Sequence, residues 1–348
     1  GYTYGRKRKP TETRMEMRWA AMEGTEAAIA TSSGMAAIML MMFSLLKSGD
    51  HVVISQSMFG STIKLIGTEF ARFGVESTVV SQTELSAWQA AIKSNTKILF
   101  AETPTNPLTE VCDIAALADM AHKAGAWLAV DNCFATPALQ RPALLGADII
   151  MHSGTKYLDG QGRVMAGALC ASAALVSEKF LPVMKNSGMI LSPFNAWVVL
   201  KGLETLGIRM QAQSKQAFEM AQWLEKQPHI ARVYYPGLPS HPQHTLAMKQ
   251  MNGIGGALLS FAVKADNPTQ ARARAFHVLD SMQVLSLCTN LGDTKSLLTH
   301  PASTSHGKLS ESQRQAAGIG QGLIRMAVGL EHTDDMKEDL LRGLDTLK

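Results

Sequence analysis

Between Thr11 and about Ala171, short apolar runs alternate with segments of helical period, and this alternation constrains the fold more than any other feature of the chain. The runs His51–Ser55, Val75–Val80, Lys97–Glu102, Ala126–Asp131 and Ala147–His152 read as strands. Helical segments near residues 61–73, 84–93 and 113–124 separate them, with Gly49, Gly74 and Gly125 placed as stops. Such a cadence is satisfied by a mostly parallel sheet covered by helices on both faces. The expected class is α/β.

The pattern changes after Pro193. A long helical stretch from Phe194 to about Gln227 leads to sparser strands at Gly256–Val263, Gln283–Leu287 and Leu323–Val328, with helices near 268–278 and 334–347. For 348 residues the usual prior is about two domains, so a large domain over 1–207 and a smaller α/β domain over 208–348 are expected. No internal repeat or low-complexity tract interrupts this division.

Composition narrows the functional classes. With 46% hydrophobic and 18% charged residues the chain is an ordinary packed protein, neither disordered nor collagen-like. With a net charge of +4 no global field argues for nucleic acid or an anionic membrane as partner, and neither is expected. Cys112, Cys133, Cys170 and Cys288 are scattered, with no CxxC pair or zinc spacing, so no metal is expected and a reducing, cytoplasmic setting is. The apolar run Ala36–Leu46, broken only by Ser44, is too short to span a bilayer and reads as a buried helix; no signal peptide is recognisable. The chain opens at Gly1 without Met, inside what looks like a structured motif, and an N-terminally truncated chain with an arm over 1–10 is expected.

In open parallel sheets ligands gather beyond the carboxyl ends of the strands. Thr31-Ser32-Ser33-Gly34-Met35 precedes the apolar helix and would offer backbone N–H groups to an anion, though a Ser N-cap is the simpler reading of that fragment alone. Asp131-Asn132 puts a carboxylate past one strand, where a turn or cap role is the plainer alternative. Ser153-Gly154-Thr155-Lys156 joins two hydroxyls and an amine past another; a lone lysine is ordinarily a solvated charge, but this grouping suits a phosphate and a Schiff base. Two prolines stiffen Glu102-Thr103-Pro104-Thr105-Asn106-Pro107 and fix where Asn106 points. Arg325, inside the apolar run Leu323–Val328, either sits on an exposed strand face or meets an anion. An anion site, a carboxylate for a ring nitrogen and a lysine for a carbonyl together describe pyridoxal 5′-phosphate.

Taken in order, Tyr4-Gly5-Arg6 with Pro10-Thr11, Ser33-Gly34-Met35, Asp131-Asn132, Ser153-Gly154-Thr155-Lys156, and His300-Pro301-Ala302 leading to Arg325 make the chain resemble the Cys/Met-metabolism family of pyridoxal-phosphate enzymes of fold type I. The resemblance runs from Tyr4 to the C-terminus. It implies a cofactor-binding large domain over 1–207 and a C-terminal small domain. Lys156 is implied as the Schiff-base lysine and acid/base, and Asp131 as partner of the ring nitrogen. Gly34, Met35, Ser153 and Thr155 are implied as the phosphate cup, with Asn106 at the ring's 3-oxygen. Arg325 would clamp the substrate α-carboxylate, with Asn290 also at the substrate. Tyr4 and Arg6 would reach a neighbouring subunit's phosphate, implying a homodimer with shared sites, usually paired into a homotetramer.

The chain departs from the family in places. Phe59 stands where many members have a stacking Tyr, so a ring remains but the phenol is lost. Ser61 replaces a cysteine typical of methionine γ-lyases, and Lys295 a glutamate usual in lyases. Lys9 stands where Asn usually precedes Pro10-Thr11, putting that local turn in doubt. Asp159-Gly160-Gln161-Gly162-Arg163 is most similar to the O-succinylhomoserine sulfhydrylase branch. The resemblance thus implies γ-replacement on O-succinyl-L-homoserine by sulfide, giving L-homocysteine and succinate for methionine biosynthesis. Cystathionine γ-synthase, O-acetylhomoserine sulfhydrylase and γ-lyase are the catalytic alternatives; a non-catalytic binding protein is the remaining one, though none of Lys156, Asp131 and Arg325 is lost.

Overall fold

The computed structural model describes residues 9–347, so Tyr4 and Arg6 lie outside the described residues. Its strands are β1 (Ala27–Thr31), β2 (His51–Ser55), β3 (Glu76–Val80), β4 (Thr96–Glu102), β5 (Trp127–Asp131), β6 (Ile149–Ser153), β7 (Gly167–Ala171), β8 (Ile230–Tyr234), β9 (Leu258–Val263), β10 (Ser286–Leu287), β11 (Leu297–Thr299) and β12 (Leu323–Ala327). Two helices matter most for the site: α1 (Pro10–Glu23) and α2 (Gly34–Leu45). The chain divides into two compact units, one of residues up to Pro104 with Val111–Leu206, the other of Thr105–Glu110 with Gly207–Lys348. The short segment Thr105–Glu110 therefore belongs with the second unit, which the sequence pattern did not indicate.

The first unit is built on a seven-stranded sheet in the order β1-β7-β6-β5-β4-β2-β3. From β6 to β3 neighbouring strands run parallel, while β7 runs antiparallel to both β6 and β1. The expected parallel strands are present because their side chains are buried on both faces, as in Val52, Val53 and Ile54 or Ile98, Leu99 and Phe100. Helix α2 buries Ala37, Ile38, Leu40, Met41 and Met42 against this sheet, as its apolar run predicts. Lys9 is the extended N-cap of α1, and its carbonyl accepts from Thr13 N–H and Oγ1, both at 3.1 Å, so the substitution there leaves a closed turn.

The pattern missed β1 and β7, which are made largely of Ala, Gly and other small residues. Smallness at Gly167 is a steric demand: a Cβ there would stand 2.1 Å from the Ser33 carbonyl oxygen. The expected helix near 61–73 is instead α-helical over Gly60–Lys64, π-helical over Leu65–Phe70 and 3-10 over Ala71–Phe73.

The second unit carries a five-stranded sheet in the order β10-β11-β12-β9-β8, antiparallel except for the β10/β11 pair. Leu259, Phe261, Leu298, Ile324 and Met326 form its core. The expected strand Gln283–Leu287 shortens to β10, because the buried Asp339 carboxylate takes the N–H groups of Gln283, Val284 and Leu285 at 2.8, 2.9 and 2.8 Å. Those donors are lost to a ladder. The expected helical stretch from Phe194 breaks at Thr205 into Pro193–Glu204 and Leu206–Leu224.

Candidate functional site

Three strands of the first unit end in line, since β4 and β5 pair Glu102 with Asp131 and β5 and β6 pair Asp131 with Met151. Beyond those ends lie most of the polar residues singled out from sequence.

The N-terminus of α2 packs against the end of β6. Ser33 caps the helix, its Oγ accepting from Ala36 N–H at 3.1 Å, so the plain capping reading is present in the geometry. Gly34 and Met35 follow as first helical residues, whose N–H groups have no acceptor within a helix and sit at its positive end. A Cβ on Gly34 would lie 3.0 Å from Ser153 Cβ and 3.0 Å from Met151 Cε. Only glycine leaves this space between helix and strand end open.

Asp131 closes β5 and is buried; its Oδ1 accepts from Cys133 N–H at 3.0 Å. Burial pushes this carboxyl above its ordinary value, opposed by the hydrogen bonds from Cys133 and by His152. Such a group gains most from a cationic partner. Cys133 Sγ in turn accepts from Ser153 N–H at 2.7 Å, linking the Asp131 strand to the Ser153 strand. Burial first, and the Asp131 carboxylate next, push the Cys133 thiol well up, so it serves as a neutral bridge.

Lys156 lies in the tight turn after β6. Its N–H donates to the Ser153 carbonyl at 3.4 Å and its carbonyl accepts from Gly160 N–H at 2.9 Å. Thr155 Oγ1 accepts from Ala166 N–H at 3.3 Å, which binds the turn to the chain entering β7. The buried Asp159 carboxylate accepts from Arg163 N–H at 2.7 Å and Arg163 Nε at 2.9 Å, so the Asp159–Arg163 segment closes on itself. Phe59 follows β2 with its ring exposed and its N–H donating to Glu102 Oε2 at 2.9 Å. Ser61, at the start of the next helix, is exposed.

In the second unit Arg325 on β12 is 1% exposed, which removes the exposed-face alternative. Its Nη1 donates to Asn106 Oδ1 at 3.3 Å, and its Nη2 to the carbonyls of Thr289 and Asn290 at 3.1 and 2.8 Å. Asn106 and Asn290 are thus both gathered at one guanidinium. Lys295 is exposed, its N–H donating to Asp293 Oδ1 at 3.2 Å.

The family model for "Cys/Met metabolism PLP-dependent enzyme" matches residues 1–345. The chain belongs to this family. As a member, it is 54% identical over 347 residues to O-succinylhomoserine sulfhydrylase of Pseudomonas aeruginosa, covering 100% of this chain and 84% of that protein. It is 44% identical over 343 residues to O-succinylhomoserine sulfhydrylase of Mycobacterium tuberculosis, covering 99% and 84%. The solved structure of metB from Corynebacterium glutamicum matches with a TM-score of 0.94 at 37% identity, covering 100% of this chain and 88% of that one. This family member has the fold of the type I pyridoxal-phosphate enzymes, and its cofactor is pyridoxal 5′-phosphate.

The first unit fits that cofactor. A phosphate needs the kind of cradle that the missing Gly34 side chain leaves at the α2 N-terminus, and a protonated ring nitrogen needs a buried carboxylate such as Asp131. Lys156 supplies the amine beside them in sequence.

Sequence reasoning missed Cys133 and the buried pair Glu23 and His152, which hydrogen-bond to each other. Glu23 is fully buried and carries no local pattern that marks it.

Proposed function

We propose that this enzyme catalyses γ-replacement, converting O-succinyl-L-homoserine and sulfide to L-homocysteine and succinate in methionine biosynthesis. The observation that carries this reading is the 54% identity to a sulfhydrylase across the whole chain, joined to Ser61 and Lys295 at positions where lyases differ.

Pyridoxal phosphate, when bound, supplies the electron sink for a carbanion at the substrate's Cα. The Lys156 amine would hold the cofactor and would move the Cα proton. Asp131 would keep the ring nitrogen protonated, and Gly34, Met35, Ser153 and Thr155 would hold the phosphate. Arg325 would present its planar fork to the substrate α-carboxylate, with Asn290 beside it, and Asn106 would be the residue for the ring's 3-oxygen. Phe59 would stack on the ring and has no hydroxyl to carry a proton, which leaves proton movement to Lys156. Succinate leaves Cγ, the new C–S bond forms at that carbon, and the sulfide protons balance the leaving carboxylate and the product thiol.

On this reading the first unit is the cofactor-binding domain and the second the C-terminal small domain. A homodimer with shared sites, paired into a homotetramer, is part of the same proposal. Tyr4 and Arg6 support it by their motif, and exposed Met165, Phe194 and Trp197 support it as apolar surface on the first unit. A cytoplasmic setting accords with four cysteines that are all free thiols. Among the described residues no helix is long and apolar enough to cross a membrane.

The reading is tested by initial rates with O-succinyl- or O-acetyl-L-homoserine, each paired with sulfide or L-cysteine. The succinyl ester with sulfide is expected to give the highest kcat/KM. Cystathionine formed faster than homocysteine would assign the enzyme as a synthase, and preference for the acetyl ester would move it to the other sulfhydrylase class.

A further inference from the structure

One carboxylate binds the ends of β5 and β6 together from behind. Glu23, the last residue of α1, is fully buried; its Oε1 accepts from Asn132 Nδ2 at 2.9 Å and also from His152 Nε2. Asn132 follows Asp131, and His152 precedes Ser153. Side chains alternate across a strand, and Asp131 pairs in register with Met151, two residues before Ser153. Asp131 and Ser153 therefore share one face, and the residues gripped by Glu23 lie on the other. Gln140 extends the grip, its Nε2 donating to Asn132 Oδ1 at 3.0 Å and to the Thr103 carbonyl just past β4 at 2.9 Å.

As a way of stabilising a fold this arrangement is poor. A carboxylate in the last turn of a helix faces the negative end of the helix dipole. Burying an acid with its base removes both from water, and an apolar pair often serves stability better. Among the described residues, Glu23 Oε2 and His152 Nδ1 also lack hydrogen-bond partners. The pair sits against the fully buried Trp19, whose ring centroid is 5.6 Å from that of His152, with no solvent to compensate. What the arrangement does provide is one fixed point shared by two strand ends.

We propose that Glu23, acting through His152 and Asn132, is a positioning residue that sets the spacing between Asp131 and the Ser153–Lys156 turn. A rigid cofactor held at its ring nitrogen and at its phosphate can be gripped at both ends only when that spacing is fixed. The proposal rests on the reading of Asp131 and Ser153 given above.

The test uses Glu23→Gln and His152→Gln in the full chain, freed of cofactor and then titrated with pyridoxal phosphate. The dissociation constant is read by visible absorbance, alongside the melting temperature of the apoprotein and kcat and KM of the reconstituted enzyme. Glu23→Gln is expected to weaken cofactor binding by roughly tenfold to a hundredfold, the scale on which a misplacement near 1 Å is felt. The apoprotein should melt no lower, and kcat should fall with little change in KM. A lower melting temperature with cofactor affinity and kcat unchanged would overturn the proposal, leaving the pair a structural element; so would failure of both variants to fold. Asp131→Asn, titrated in parallel, separates the two claims: undiminished cofactor affinity and an unaltered spectrum there would sink the reading of Asp131, and the proposal with it.

Discussion

Lys156→Ala is expected to abolish the visible band of covalently attached cofactor and to lower homocysteine formation by about 10⁴-fold, the upper range for loss of a positioned acid/base. Two functions are lost together, because the same amine attaches the cofactor and moves the substrate's proton. The backbone contacts of Lys156, to Ser153 and Gly160, do not depend on its side chain, so the turn that carries it should survive the substitution. Absorbance spectroscopy and steady-state assays check both halves. A variant that keeps the band and more than a tenth of the activity would place the attachment elsewhere.

Arg325→Lys is expected to lower kcat/KM for O-succinyl-L-homoserine by about 10²–10³-fold, mostly through KM. A guanidinium offers a carboxylate two parallel hydrogen bonds where an ammonium offers a point charge, and bonds to charged groups are each worth roughly 1.5–3 kcal/mol. The substitution also leaves part of the oxygen set of Asn106, Thr289 and Asn290 without its donor. Cofactor absorbance should be unaffected. Comparison of KM values for the ester at fixed sulfide checks the expectation, and an unchanged KM would remove Arg325 from substrate binding.

Strands β2, β4, β5 and β6 were legible because each is an apolar run ended by a polar residue, the signature of a buried parallel sheet. Strands β1 and β7 have few of the large branched side chains that make such a run stand out. Their small side chains answer to the closeness of neighbouring backbone, as Gly167 does against Ser33, and such closeness appears only after folding. The truncated β10 has the same kind of cause, since Asp339 lies more than fifty residues further along the chain from the N–H groups it takes.

The same distinction divides the candidate site. Asp131, Ser153 and Lys156 stand at or just past strand ends, where a sheet must place its ligands, so position alone made them candidates. Arg325 was legible as a charge inside an apolar strand, and its burial removes the exposed-face reading. Phe59 was legible only through the family. Cys133 was not legible at all: between Asp131 and Ser153 it acts through backbone geometry, its N–H giving to one and its sulfur taking from the other. Glu23 was hidden for a different reason. It lies 129 residues from His152 and 109 from Asn132, and a buried glutamate at a helix end resembles an ordinary surface residue until the partners are seen.

The central claim is that this enzyme replaces a group at Cγ rather than eliminating it. The direct measurement is the yield of homocysteine and 2-oxobutyrate, quantified together, from O-succinyl-L-homoserine with and without sulfide. The account predicts homocysteine as the main product whenever sulfide is present, and none in its absence. If 2-oxobutyrate dominates even with sulfide in excess, the enzyme is a lyase, and the roles given to Phe59, Ser61 and Lys295 are contradicted.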